Sequence, residues 1–344
     1  MRPIVLLGLA ALAFSTSVFA KQKVVVYNWS QYIPDGLVAQ FEKETGIDVE
    51  YSTYESNESM YAKLKLMKSS GYDVVVPSAY FVSKMRKEGM LHPVDKTLIP
   101  NLKNLDTNLL NKPYDPNNQY SIPYLWGSTG LAVNGEEIDP KSITSWSDLW
   151  NQKFAGDVLL TDDVREVFQI ALAIKGYSGN TRNEKEIKEA YELLKTLMPN
   201  VQAFNSDAPR MPYLAGDTNI GMIWNGEAWM AKEETKHLHY IYPKEGAIFW
   251  VDSFVIPKNA SNVIAAHAFI NFMLKATSAK KCMEHTGYAT PNLAGRALLS
   301  NKVKNSPIIN PSKEDIERGE FQDDVGDAIQ IYQKYWNMLK TGAK

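Results

Sequence analysis

A chain of 344 residues is long for one hydrophobic core and comfortable for two lobes of ordinary size. With 44% apolar and 22% charged residues it has the make-up of a folded protein rather than a disordered one. A formal net charge of −2 leaves neither the basic footprint of a nucleic-acid binder nor a strong acidic field. At the start, Met1-Arg2 is a short positive segment, and Ile4 to Phe14 is almost wholly apolar. Ser15 to Ala20 then supplies a small-residue exit, with Val18 and Ala20 at the −3 and −1 places. This pattern predicts a secretory signal peptide over 1–20, cut after Ala20, because the apolar run is too short to cross a bilayer. The next residue is Lys21 rather than Cys, which removes a lipid anchor on a new N-terminal cysteine. Cys282 is the sole cysteine, so no internal disulfide can form. Its place beside Met283 suggests packing rather than reactivity.

Strand and helix signals alternate over the first hundred residues. Lys23–Asn28 is β-branched, Asp35–Thr45 has helical spacing and stops at Gly46, and Ile47–Tyr54 is again strand-like. Asn57 can cap a helix carrying Met60, Leu64 and Met67; Asp73–Val76 is a third strand, and Ser78 opens a helix ending at Gly89. This β-α-β-α-β-α run implies a parallel sheet flanked by helices. After a turn-rich stretch comes a strand over Ser121–Val133, and then a second α/β run. It has helices at Ser145–Trp150, Asp163–Lys175 and Glu184–Leu197, and strands at Asp157–Leu160 and Asn219–Trp224. A short helix to Glu234, strands over His239–Tyr242 and Ala247–Ile256, helices over Val263–Leu274 and Ser278–His285, and a helical C-terminus from Val325 to Leu339 complete the reading. Two α/β halves joined by extended segments suggest hinged lobes with a cleft between them.

The strand ends are rich in rings and acids. Trp29-Ser30-Gln31-Tyr32, Ser78-Ala79-Tyr80, Asp162-Asp163-Val164-Arg165-Glu166 and Trp224 each follow or close a strand, and Phe249-Trp250-Val251-Asp252 sits within one. Ligands of open α/β sheets bind beyond the carboxyl ends of the strands. Indoles, phenols and carboxylates with few basic residues suit a ligand that is cationic and partly apolar. Each piece also has a plainer role: Asp162, Asp163 and Glu166 can complement a helix N-terminus, and Trp29, Trp224 and Trp250 can be core rings. Asp163 and Glu166, three apart, share a helix face. Catalytic signatures are missing: no H-E-x-x-H, no G-x-S-x-G, no phosphate-cradling glycine loop and no paired cysteines. His237 and His239 fall on one face of a strand but have no evident third metal ligand.

Long motifs then resemble the bacterial spermidine/putrescine-binding proteins, and most closely their spermidine-preferring branch. They are Tyr27-Asn28-Trp29-Ser30-Gln31-Tyr32-Ile33-Pro34, Tyr51 to Glu58, Tyr72 to Ser78, Asn111-Lys112-Pro113, Leu160 to Asp163 with Arg165 to Phe168, Gly221 to Gly226, and Gly287-Tyr288 with Thr290-Pro291-Asn292. The resemblance spans essentially the whole chain after Ala20. It implies a two-lobed periplasmic binding protein fold of type II. Each lobe would be a mostly parallel sheet flanked by helices, with the ligand cleft between: 21–129 plus 252–296 in one lobe, 130–251 plus 297–344 in the other. It further implies that Trp29, Tyr32, Tyr80, Trp224, Trp250 and Tyr288 wall the cleft, and that Asp163, Glu166 and Asp252 bind ammonium groups. Gln322 would hydrogen-bond an amine, with Ser30 and Ser78 as further contacts. Glu227 is acidic where spermidine-type relatives carry a small residue and putrescine-type relatives an acid, so putrescine is expected to bind less weakly, relative to spermidine, than in a relative with a small residue there. The implied role is periplasmic capture of spermidine, with putrescine as a second ligand. Delivery would be to the permease subunits of an ABC transporter with its cytoplasmic ATPase, without cofactor, metal, catalysis or nucleic acid. The competing readings are the same fold binding putrescine preferentially or another cationic solute, a ferric-ion or anion binder of that fold, which would need clustered tyrosines or cleft-facing bases, and a hydrolase using Asp163 and Glu166.

Overall fold

A computed structural model describes residues 22–342, so the expected signal segment lies outside the described residues. The β-branched run Val24-Val25-Val26 stiffens β1 (Lys23–Trp29) into extended backbone. The chain then forms α1 (Leu37–Thr45), β2 (Asp48–Tyr54), α2 (Asn57–Leu66), β3 (Val74–Val75) and α3 (Ala79–Lys87). Strand β1 lies between β2 and β3, parallel to both, as the alternating pattern predicts. Helix α1 ends at Gly46, whose left-handed backbone (φ 72°) closes the last turn. The cap of α2 differs from expectation. Ser56, not Asn57, accepts the orphan N–H of Ser59, which frees the Asn57 side chain for other partners.

Beyond β4 (Leu91–His92) comes the long β5 (Ser121–Asn134). It is followed by β6 (Val158–Leu160), α4 (Val164–Ile174), α5 (Glu184–Leu197), β7 (Val201–Phe204), α6 (Met211–Ala215), β8 (Ile220–Trp224) and α7 (Asn225–Glu234). Then come β9 (Leu238–Ile241), β10 (Ile248–Pro257), α8 (Val263–Met273), α9 (Ala276–Thr286) and, late in the chain, β11 (Glu320–Phe321). The segment expected as a helix over Ser145–Trp150 is a tighter 3₁₀ turn, Trp146–Trp150, closed by a reciprocal Ser145–Asp148 cap.

The main sheet runs β2-β1-β3-β10-β5-β8-β6-β7. Its outer thirds are parallel, but its centre is antiparallel: β10 opposes both β3 and β5, and β5 opposes β8. Strands β5 and β10 therefore belong to both halves of the molecule. Their length and burial explain this, since all ten residues of β10 are buried on both faces. On β1, Val24 and Val26 point into one core with Phe41, Phe254 and Phe269, while Tyr27 points into another with Met60, Val75 and Phe81. The same alternation recurs on β6, where Val158 and Leu160 pack with Phe168 and Tyr332 and Leu159 packs with Trp229 and Ile309. Cys282 is fully buried and receives a hydrogen bond from the Tyr124 hydroxyl.

Candidate ligand-binding cleft

One cleft runs along the strand ends at the middle of the sheet, and all thirteen residues expected at a ligand line it: Trp29, Ser30, Tyr32, Ser78, Tyr80, Asp163, Glu166, Trp224, Glu227, Trp250, Asp252, Tyr288 and Gln322. Most arrive as expected from the carboxyl ends of parallel strands, with Trp29 closing β1, Ser78 following β3, Asp163 following β6 and Trp224 closing β8. Trp250 and Asp252 sit in mid-strand instead, because β10 passes from one half to the other. A register shift against β5 falls between Asp252 and Ser253, the kind of irregularity that re-aims a side chain.

The first acidic seat is Asp252, which is 3% exposed. Its carboxylate accepts hydrogen bonds from the Tyr32 hydroxyl at 2.5 Å and the Ser78 hydroxyl at 2.6 Å. Behind it stands Asn57, whose amide donates to the Ser78 and Tyr80 hydroxyls and accepts from the Ser78 backbone. Two neutral hydroxyls do not offset burial, which pushes the Asp252 carboxyl up to about 7.

The second seat is built on α4. Asp163 caps the helix by accepting the Glu166 N–H at 2.9 Å, and it still faces the cleft. The helix-cap role and the cleft role thus coexist in one residue. Glu166 is buried and accepts from the Thr129 hydroxyl at 2.6 Å and from the Trp224 indole at 3.1 Å. Burial, followed by the nearby Asp163 charge, holds Glu166 above the usual carboxylate range. Asp163 is also raised by burial. Just outside the lining, Glu58 on α2 is raised for the same first cause, with Asp163 next, and one of its oxygens is buried without a hydrogen-bond partner.

Aromatic rings line the slot between these seats. Tyr32 and Tyr288 lie 5.4 Å apart between ring centres, Trp250 meets Tyr288 edge-on at 5.0 Å, and Trp29 lies 6.4 Å from Tyr32. Trp29 is fixed by its indole N–H on the Val76 carbonyl, and Gln322 by its backbone N–H on the Phe249 carbonyl. Ser30 donates to Glu55 at the rim.

Glu227 lines the cleft but does not offer a free carboxylate. It forms an ion pair with Arg210 at 2.9 Å and is only 6% exposed, so it is neither a solvated first-turn acid nor an unengaged seat. Residues outside the sequence expectation also line the site: Gln31, Glu55, Asn57, Ser206, Ala208 and Met230. Ser206 and Ala208 follow β7, a four-residue strand with too few β-branched residues to read as one; recognising it would have marked the loop after it.

A central mixed sheet with a core on each side, and one acid-and-aromatic cleft where the two halves meet, defines a two-lobed solute-binding protein. Residues 36–311 match the family of bacterial extracellular solute-binding proteins. The chain is 57% identical over 92% of its length to the spermidine/putrescine-binding periplasmic protein of Escherichia coli K12, covering 91% of that protein. It is 47% identical over 94% of its length to spermidine/putrescine-binding periplasmic protein 1 of Haemophilus influenzae, covering 90% of it. The solved spermidine/putrescine ABC transporter substrate-binding protein of Streptococcus pneumoniae superposes with a TM-score of 0.79 at 36% identity, over 94% of this chain and 100% of that one. The chain belongs to the bacterial extracellular solute-binding proteins, and its fold is that of the type II periplasmic binding proteins.

Proposed function

We propose that this protein captures polyamines, spermidine and putrescine, in the periplasm. It then hands them to the permease subunits of an ABC transporter driven by a cytoplasmic ATPase. One observation carries the reading: two buried acidic seats, Asp252 and the Asp163/Glu166 pair, share a single slot walled by Trp29, Tyr32, Trp224, Trp250 and Tyr288. An ammonium at each seat replaces the compensation that burial denies the carboxylates, and the rings cover the methylenes between them. The names of the relatives support the same ligand class. Asp163, Glu166 and Asp252 act as ammonium partners, with Ser30, Ser78, Tyr80 and Gln322 as further contacts.

Mechanistically the protein is a carrier without a covalent step. The lobes, 21–129 plus 252–296 and 130–251 plus 297–344, present their seats to one ligand only when closed, so binding shifts a hinged equilibrium toward closure. Secretion removes residues 1–20, and among the described residues no helix is long and apolar enough to cross a membrane. Titration calorimetry on protein stripped of bound amines tests the reading. Saturable binding of putrescine or spermidine at micromolar or tighter, about −8 kcal/mol, is expected, and the absence of heat with both would end it.

A further inference from the structure

The ion pair at Glu227 is part of a larger arrangement. Arg210 donates through one guanidinium nitrogen to Glu227 at 2.9 Å and to the Gln31 side-chain carbonyl at 3.2 Å. Its Nε lies 3.5 Å from Glu234. Gln31 stands on the turn after β1 and Glu227 in the first turn of α7, so one side chain spans the cleft. Arg210 ends the loop that carries Ser206 and Ala208 into the lining, and Ala208 holds a left-handed backbone (φ 59°) that an alanine disfavours. The Arg210 backbone N–H, 3.4 Å from the same Glu227 oxygen, helps to hold that loop. Arg210 is also largely buried, with 14% of its side chain exposed, where its charge is poorly screened.

Resting on the polyamine reading, we propose that Arg210 is a specificity-determining residue that supplies the site with its own third cation. Asp252 and the Asp163/Glu166 pair seat two ammonium groups. The next buried acid along the lining is Glu227, where a third ammonium would be neutralised, and Arg210 already holds it. A diamine fills the two open seats and leaves the Arg210–Glu227 pair intact. A triamine must either displace the guanidinium or place a third positive charge beside it. The arrangement therefore favours the dication, but through the Arg210–Glu227 pair rather than, as the sequence suggested, through a free Glu227 carboxylate holding the shorter diamine.

Calorimetry at pH 8 with putrescine and spermidine separately, on wild type, Arg210→Gln, Arg210→Lys and Arg210→Gln/Glu227→Gln, tests this. Arg210→Gln should raise spermidine affinity relative to putrescine by about tenfold, the worth of one charge-assisted hydrogen bond. Arg210→Lys keeps the charge and should keep the wild-type ratio, and removing Glu227 as well should cancel the gain. A ratio within twofold of wild type for Arg210→Gln, or an equal gain for both ligands, overturns the proposal while leaving the polyamine reading standing. Failure of wild type to bind either amine would instead strike that reading, and with it this one. Matching melting curves for the lysine and glutamine variants would show that the loop is folded in both.

Discussion

Burying a carboxylate is unfavourable unless something compensates it, and Asp252 has two neutral hydroxyls for the task. An amide at this position would still accept from Tyr32 and Ser78 but would carry no charge. Asp252→Asn should therefore leave the fold intact and weaken putrescine binding by about 2–5 kcal/mol, the usual cost of losing one partner of a buried charge pair. Calorimetry reads this directly, and a loss below about threefold would remove Asp252 from the site. Trp250, edge-on to Tyr288 and 7% exposed, contributes surface more than charge. Trp250→Leu keeps some apolar cover and loses the ring face, so about 1–2 kcal/mol of binding should go. Unchanged affinity would make Trp250 a core ring only.

At the scale of elements, the start of α4 joins stability to binding. Asp163 caps the helix and faces the cleft, and its two roles separate by substitution. Asn is as good a cap as Asp, so Asp163→Asn should hold the melting temperature and lose affinity. Asp163→Ala should lose affinity and also about 1 kcal/mol of stability. Equal melting curves for both variants would mean that the cap contributes nothing. Periodicity revealed most helices and strands because each half repeats strand and helix with clear stops such as Gly46. It did not reveal the antiparallel centre. Whether β5 and β10 run with or against their neighbours depends on pairing across distant stretches of chain, and a wholly buried strand carries no alternation to read. Most cleft residues were legible because strand ends and the family resemblance pointed to the same places, whereas Tyr288 and Gln322 rested on the resemblance alone. Arg210 and Asn57 were not legible. Arg210 lies on a loop after a strand too short to recognise, and Asn57 looked like a helix cap because the neighbouring Ser56 that takes the cap is equally suited to it.

Across the whole molecule, Asp163, Glu166, Asp252 and Glu58 are all raised by burial, so the folded protein holds protons that the unfolded chain would release. For an acid whose folded pKa lies above its unfolded one, folding stability is greatest at low pH and is lost as pH rises from about 4 through the folded value. That folded value is near 7 for Asp252 and near 8 for Glu166 and Glu58. Ligand binding runs the opposite way, because an ammonium needs the ionised carboxylate and must displace a proton below pH 7 at Asp252 and below pH 8 at Glu166. Affinity for putrescine should thus fall as pH drops from 8 to 5.5, by up to one decade per pH unit for each proton displaced. The increase in melting temperature on adding putrescine should be larger at pH 8 than at pH 5.5, since ligand then relieves repulsion that protons relieve in acid. Calorimetry in buffers of different ionisation enthalpy counts the released protons. Affinity flat across this range, with no proton release, would mean that the seats are ionised before the ligand arrives, and that the lobes of the free protein stand open to water.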